Sequence, residues 1–197
     1  MLPKRIAVVS IVFLAAGMFA ATAQAQRTTK PGRAKVVVAL HASDGTDVGT
    51  ATFTQQKKGV HVHIEAKNLA VGDHGVHIHQ FPKCDAPDFK TAGGHFNPDG
   101  KKHGVNNPMG HHNGDMPGNL TIGETHTGTA DFTVNSITLF TTGGTAQGAG
   151  EQMLVAPANS ILANGGTSIV IHDHADDMMT DPSGNSGNRI ACGVITQ

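Results

Sequence analysis

Apolar and β-branched residues gather along the chain in short segments, separated by segments rich in Gly, Asp, Asn and Pro. No long stretch has apolar residues at the three- to four-residue spacing of an amphipathic helix. Short Val-, Ile-, Thr- and Phe-rich segments between turn-forming residues are typical of β-strands. The pattern predicts strands at Lys35–Leu40, Val48–Thr54, Val60–Ala66, Gly75–Gln80, Thr129–Val134, Ser136–Phe140, Ser168–His172 and Ile190–Ile195. These strands predict an all-β antiparallel sandwich or barrel.

Two long connections interrupt this pattern of strands. One runs from Phe81 to Gly118 and is full of Gly, Pro, Asn and His; the other runs from Asp173 to Asn188. Long loops in a compact domain tend to carry function, so the chemistry is expected there. A third stretch, Thr141–Gly150, carries no obvious metal ligands and is interpreted as a surface insertion.

The N-terminus has the features of an export signal. Lys4 and Arg5 precede an apolar run from Ile6 to Ala20, and Ala23-Gln24-Ala25 is a small-x-small cleavage site. The run is shorter than the ~20 residues of a membrane-spanning helix, which favours a cleaved signal over an anchor. We expect a signal peptide over 1–25, a flexible lead-in over 26–34 and one domain over 35–197, periplasmic or secreted and not membrane-bound after cleavage.

Composition narrows the class of function. The 197 residues suit one domain, and a formal net charge of -1 argues against a strongly basic nucleic-acid binder. The 13 histidines are nearly as numerous as the 14 lysines and arginines together. This excess of imidazole groups directs attention to metal binding.

Three histidine pairs share the spacing His-x-His. Alternate residues of a strand project from the same face, so His77 and His79 could bind one metal ion together. The pair His61 and His63 has the same spacing, as does His172-Asp173-His174. A ligand-rich loop follows His79 but not His63, so His61 and His63 are expected to be solvated side chains on an exposed strand face.

The first long loop contains a second group of candidate ligands. His95, His103, His112 and Asp115 follow one another at spacings of eight, nine and three residues. Three imidazoles and one carboxylate form a closed tetrahedral set suited to a structural zinc ion. His172, at the end of a predicted strand, could add a ligand to the metal of His77 and His79. All-imidazole ligation suits copper, although zinc and nickel also accept it.

At these motifs the chain resembles the copper/zinc superoxide dismutase family, in its bacterial secreted branch. The resemblance covers nearly all of 35–197 and is carried, in order, by His77-Ile78-His79, Gly94-His95-Phe96-Asn97-Pro98, Lys102-His103-Gly104, His112-Asn113-Gly114-Asp115, Ile171-His172-Asp173-His174-Ala175-Asp176-Asp177 and Gly187-Asn188-Arg189-Ile190-Ala191-Cys192-Gly193-Val194-Ile195. It implies an eight-stranded Greek-key barrel or sandwich, immunoglobulin-like, with two long functional loops. It also implies disproportionation of superoxide to dioxygen and hydrogen peroxide.

The resemblance implies a role for each motif residue. The copper ligands would be His77, His79, His95 and His172, and the zinc ligands would be His95, His103, His112 and Asp115. His95 would therefore bridge both metals and deliver a proton. Arg189 would orient the anion beside copper, and Asp176 would link a copper-binding histidine to a zinc-binding one. Cys84 and Cys192 would form the intrasubunit disulfide.

The chain departs from the family in its last long loop. The connection between Asp177 and Arg189 is short and contains no lysine, so charge that guides superoxide would come from Arg189 together with Lys90, Lys101 or Lys102.

Two other functions stay as alternatives: an exported metal buffer and a zinc-only hydrolase. Family members occur as monomers and dimers, so a homodimer is one of two expected states.

Overall fold

The computed structural model describes residues 34–141, 144–145 and 154–197. Its strands are β1 Lys35–Ala42, β2 Asp47–Gln55, β3 Val60–Lys67, β4 Gly72–His74, β5 Val76–His79, β6 Leu120–Ile122, β7 Thr127–Val134, β8 Gly144–Thr145, β9 Leu154–Val155, β10 Thr167–His172 and β11 Arg189–Ile195. Two 3-10 turns occupy Lys90–Ala92 and Ala163–Gly165. The predicted signal peptide, nearly all of the lead-in and most of the predicted insertion lie outside the described residues. In the part of the chain that is described, no helix is long and apolar enough to cross a bilayer.

Seven strands form one curled antiparallel sheet in the order β5-β10-β11-β1-β2-β3-β7. A separate pair, β4 with β6, joins the two edges of this sheet: β4 is separated from β5 by Gly75 alone, and β6 leads into β7 through a tight turn. In that turn the Gly123 N–H donates to the Thr127 carbonyl at 3.0 Å. The prediction of an all-β antiparallel barrel is confirmed.

The alternation of side chains along the central strands explains the core. Val38, Leu40, Phe53, Val62 and Ile64 point inward and are almost fully buried, while Thr, His, Lys and Glu side chains between them face outward. Full burial of each large apolar side chain contributes about 1.5–3 kcal/mol. The register is therefore fixed, because a slip by one residue would turn every apolar side chain into solvent.

One predicted strand is wrong. Among the described residues, the segment Ser136–Phe140 makes only an isolated bridge, between Thr138 and Ser160. Its neighbour Leu139 donates its N–H to the Gln55 side chain at 2.7 Å, so a buried amide replaces a strand partner. The alternation of apolar residues here reflects Ile137 and Leu139 packing into the core from a loop. The short strands β4 and β6 were not predicted.

The first long loop covers β5. The N–H of Ile78 donates to the Gly114 carbonyl at 2.9 Å, and the Ile78 carbonyl accepts from the Phe96 N–H at 2.8 Å. All four residues of β5 are consequently buried, although the strand lies at the edge of the sheet. The predicted disulfide between Cys84 and Cys192 is confirmed, and it ties the same loop to β11.

Candidate metal centre

Four histidine rings converge beneath the first long loop. His77 and His79 project from β5, opposite Val170 and Ser168 of β10, and His172 is the last residue of β10. His95 lies in the loop and forms an isolated bridge with His79. All four side chains are buried, and one ligand atom from each lies within 4.8 Å of the others. We call His77, His79, His95 and His172 the first donor set.

Each ring of the first donor set has one nitrogen with a partner and one without. The partnered nitrogens are His77 Nε2 with Asp176 Oδ2 at 2.8 Å, His79 Nδ1 with the Gly93 carbonyl at 2.9 Å, His95 Nδ1 with Asp115 Oδ1 at 3.0 Å, and His172 Nδ1 with the Gly187 carbonyl at 3.3 Å. The other nitrogens are buried and, among the described residues, have no hydrogen-bond partner. Since the proton resides on the bonded nitrogen, four lone pairs are left facing one another.

These four lone pairs fit a soft or borderline metal ion. A buried polar atom without a partner costs about 1–3 kcal/mol, so four such atoms together require an explanation. Burial, with the neighbouring His95, lowers the pKa of His77 to about 3, and the same two causes lower the pKa of His172 to about 4. The pKa of His79 is also well below its ordinary value, with burial as the main cause. The rings are therefore neutral at physiological pH, as metal ligation requires.

A second group of donors meets at Asp115. His95 Nδ1, His103 Nδ1 and His112 Nδ1 lie 3.0, 3.1 and 3.3 Å from Asp115 Oδ1. His112 Nδ1 also lies 3.3 Å from His95 Nδ1. Ligands about 2.0–2.1 Å from a zinc ion stand roughly 3.3–3.4 Å apart in a tetrahedron, so these spacings suit zinc. We call His95, His103, His112 and Asp115 the second donor set.

His77 also lies close to the second donor set, because His77, His95, His103 and Asp115 offer ligand atoms within 4.8 Å of one another. His77 Nε2 is bonded to Asp176, and its Nδ1 is one of the four lone pairs of the first donor set. His112 is therefore the better fourth member. Nδ1 of the neighbouring His111 donates a hydrogen bond to the His112 carbonyl at 2.7 Å.

Charge in the second donor set is concentrated on Asp115. Burial raises the pKa of Asp115, but hydrogen bonds from the surrounding imidazoles outweigh it and hold this pKa well below its usual range. Its other oxygen accepts from the N–H groups of Gly104 and His112, at 2.9 and 3.0 Å. Burial lowers the pKa of His103, but the carboxylates of Asp115 and Asp176 outweigh it and raise that pKa to about 9.

Asp176 connects the two donor sets. Its Oδ2 accepts from His77 and its Oδ1 lies 3.0 Å from His103 Nε2. Burial raises the pKa of Asp176, yet hydrogen bonds from these two rings keep it below the ordinary range. The sequence did not single out Asn119, whose side chain holds the Asp176 backbone. Asn119 Oδ1 accepts from the Asp176 N–H at 2.8 Å, and Asn119 Nδ2 donates to the Asp176 carbonyl at 3.0 Å. An asparagine in a Gly- and Asn-rich loop gives no signal from sequence alone.

Arg189 begins β11 and lies at the mouth of the site. Its guanidinium donates to the carbonyls of Phe89 and Gly93, both at 2.7 Å. The Gly93 carbonyl, which was not predicted, thus holds both Arg189 and His79. Arg189 lines an open cavity of about 430 Å³ together with His79, His95 and His172. The charge of Arg189 therefore faces the first donor set from a fixed position.

The candidate steering lysines are largely paired with acids. Lys90 contacts Asp88 at 2.5 Å and Lys102 contacts Asp181 at 2.9 Å, both at exposed positions. Asp181 Oδ1 also accepts the His103 N–H, so it helps to hold the loop of the second donor set. Of the positive groups considered, Arg189 is the one placed at the cavity.

Fold and site together define a β-barrel protein with two adjoining metal-donor sets, and the comparisons agree. The family described as copper/zinc superoxide dismutase (SODC) matches residues 48–195, well over half of the chain. The chain is 42% identical over 152 residues to "Superoxide dismutase [Cu-Zn] 1" of Aquifex aeolicus, covering 77% of this chain and 81% of the relative. It is also 42% identical over 160 residues to "Superoxide dismutase-like protein YojM" of Bacillus subtilis, covering 80% and 74%.

A solved structure supports the same assignment. A double mutant of a SOD-like protein from Bacillus subtilis is similar to this chain with a TM-score of 0.71 and 38% identity, over 82% of this chain and 97% of that one. The chain belongs to the copper/zinc superoxide dismutase family.

Proposed function

We propose that the protein disproportionates superoxide, with copper bound by the first donor set and zinc bound by the second. The observation that carries this proposal is the position of His95, whose Nδ1 belongs to one set and whose Nε2 belongs to the other. One imidazole is thereby offered to two metal ions. Family membership supports the reaction, and the donor chemistry supports the two metals.

The reaction converts two superoxide anions and two protons into dioxygen and hydrogen peroxide. Copper, when bound, supplies the one-electron redox chemistry, since it exchanges between two oxidation states. The side chains of this chain must then bind an anion, supply protons and keep the ligands in place.

Anion binding is assigned to Arg189. Its guanidinium remains charged at physiological pH and is held by two backbone carbonyls, so little conformational entropy is lost when an anion binds. Because the cavity beside it contains the first donor set, an anion bound by Arg189 lies next to the redox site. Its contacts with the Phe89 and Gly93 carbonyls make Arg189 an anchor for the loop as well.

Proton supply is assigned to His95. Its side chain lines the cavity, and its Nε2 can hold a proton there while Nδ1 stays with the second donor set. A cation held by the second donor set would stabilise the ring after Nε2 releases that proton to a basic product. A zinc-only hydrolase is disfavoured because all four donors of the second set come from the protein, whereas a hydrolytic zinc needs an open position.

The test is the decay of a superoxide pulse in the presence of protein loaded with one copper and one zinc, with a chelator to silence free copper. The expected decay approaches the diffusional ceiling of about 10⁹ M⁻¹s⁻¹ and slows as salt rises, because a positive charge attracts the substrate. Replacing His95 by Ala should remove most of the activity in a protein that stays folded. Decay no faster than the chelated control, with both metals confirmed bound, would favour a metal buffer and contradict the proposal.

We also propose that residues 1–25 are an export signal and that residues 35–197 function as one domain in the periplasm or outside the cell. The disulfide supports this location, since such bonds persist in oxidising compartments. N-terminal sequencing of the exported protein should find a start near Gln26. Protein that stays in the cytosol with Met1 still attached would contradict this proposal.

A further inference from the structure

A cluster of two imidazoles and one carboxylate lies on the outer face of the sheet. It consists of His61 and His63 of β3 and Asp131 of β7, and we call it the outer cluster. Four strands separate β3 from β5 in the order of the sheet, so the outer cluster is distinct from both donor sets. The sequence predicted His61 and His63 to be merely solvated.

The two rings of the outer cluster share one carboxylate oxygen. His63 Nδ1 lies 2.8 Å and His61 Nε2 lies 3.1 Å from Asp131 Oδ1. The register explains why different nitrogens are used. Asp131 is directly opposite His63, so the near nitrogen reaches it, whereas His61 is opposite Thr133 and must use its far nitrogen.

The backbone beneath the outer cluster is rigid. β3 is hydrogen bonded on both sides, to β2 and to β7, and the intervening residue Val62 is buried in the core opposite Phe132. Thr52 and Thr54 are the β2 partners of His63 and His61 and are small, so the side toward β2 is not filled by a bulky side chain. The side chains of His61, His63 and Asp131 are 33%, 36% and 59% exposed, which gives an ion and its water ligands access.

We propose that the outer cluster is a third metal site, which binds a divalent late transition-metal ion, Cu²⁺ most tightly, through two imidazoles and one carboxylate. Imidazole nitrogen with carboxylate oxygen is a donor combination that Cu²⁺ and Zn²⁺ accept, and affinity at such sites rises to a maximum at Cu²⁺. Each ring now directs one nitrogen at Asp131. When the ion binds, the proton of that nitrogen moves to the other, solvent-facing nitrogen of the ring, and no redox step is involved.

The outer cluster should bind its ion more weakly than the donor sets do. It offers three partly exposed donors, and water must complete the coordination. A weaker, accessible site of this kind lets the ion exchange with solution, in contrast to the buried metal centre. This inference does not depend on the catalytic proposal, because none of its residues touches the donor sets.

The test uses protein already loaded with one copper and one zinc, titrated with further Cu²⁺ in a non-coordinating buffer. Calorimetry and the electron paramagnetic resonance spectrum of Cu²⁺ should reveal one additional equivalent with nitrogen ligands. His63→Thr and Asp131→Asn should each weaken that equivalent at least tenfold. Threonine suits an exposed strand position, so the fold should be kept.

His41→Thr is the matched control, since His41 is also an exposed strand histidine and is not part of the outer cluster. It should leave the extra equivalent unchanged. Superoxide decay, measured on all three variants, should equal that of the wild type. The inference is overturned if no additional equivalent binds, if His63→Thr leaves its affinity unchanged, or if His41→Thr weakens it equally.

Discussion

Two of the three His-x-His pairs in this molecule have the same spacing and opposite surroundings. His77 and His79 are fully buried, whereas His61 and His63 keep about a third of their side-chain surface exposed. The difference comes from the covering loop, because Gly114 and Phe96 hydrogen bond to Ile78 and close over β5. Spacing places two rings on one face, and burial decides whether their nitrogens are left without water and available to a tightly held ion.

Of the changes considered, removing both metals should lower the stability and activity of the protein most, because the buried pair His77 and His79 would lose its ion. The four lone pairs and the clustered imidazoles would lose the ions that stabilise them, and ligand binding at 1,000 times Kd contributes about 4 kcal/mol per site. The melting temperature should fall by roughly 10 °C or more, with complete loss of superoxide decay. Calorimetry of loaded and metal-free protein measures this. Equal melting temperatures would mean that the donor sets do not bind the ions tightly.

Acid should destabilise the metal-free protein through the same residues. The pKa values of His77 and His172 are about 3 and 4 in the folded state, below the unfolded value of 6.5, so the unfolded chain binds more protons between these values. The contribution of these two neutral rings to the free energy of unfolding is therefore complete above pH 6.5, and it is lost as the pH falls toward 4.

His103, whose pKa is raised to about 9, acts in a different window. Its contribution to stability is complete below pH 6.5 and declines as pH rises through 9.

Because of His77 and His172, the urea midpoint of the metal-free protein should fall steeply between pH 6.5 and 4. The fall should be equally steep in His63→Thr. A flat profile in this range would argue against buried neutral histidines.

Gly114→Ala should break the cover over β5. A Cβ at this position would collide with the carbonyl oxygen of Ile78, so the loop must move away from the strand. We expect about 2–3 kcal/mol of destabilisation, typical of overpacking, and weaker zinc binding because His112 and Asp115 flank this glycine. Gly123→Ala is the control, since its Cβ would meet the Thr127 carbonyl at an ordinary 3.8 Å. Similar effects of both variants on zinc affinity would contradict the role of the cover.

Asp176→Asn should have a smaller effect, limited to orientation of the ligands. The amide keeps the size of the side chain but cannot accept hydrogen bonds from His77 and His103 with both of its polar atoms. Loss of such a partner typically lowers metal affinity 10- to 100-fold. Competition with a zinc chelator measures this, and an unchanged affinity would show that the link between the donor sets is dispensable.

His63→Thr should have the smallest effect on the folded protein. The site is partly exposed and far along the sheet from β5, so its stability should stay within about 0.5 kcal/mol of the wild type. A urea titration checks this value. A large loss of stability would mean that the two histidine pairs differ less than their burial indicates.

Much of the fold was predictable because the strands have a clear apolar pattern, as in Val60–Ala66. The segment Ser136–Phe140 misled because Ile137 and Leu139 enter the core without strand partners. The three-residue strands β4 and β6 were too short to produce a pattern of their own. Their pairing depends on contacts between distant parts of the chain, which the local sequence does not encode.

For the metal centre, spacing alone suggested His77 with His79 and the group from His95 to Asp115, while the resemblance supplied the bridging role of His95 and the roles of Arg189 and Asp176. The structure brings all of these residues together. Contacts made by backbone carbonyls, such as that of Gly93, have no sequence signal. The outer cluster was missed for a related reason: only the register of β3 against β7 places Asp131 beside His63.

The most direct test of the account is whether one imidazole serves two metal ions. Protein should be prepared with Cu²⁺ in the first donor set and Co²⁺ in the second, and the electron paramagnetic resonance signal of Cu²⁺ compared with that of copper-only protein. Because a shared His95 couples the two paramagnetic ions, the copper signal should be strongly reduced in the wild type and restored in His95→Ala. A full copper signal in the wild type, with Co²⁺ confirmed in the second donor set, would contradict the shared ligand.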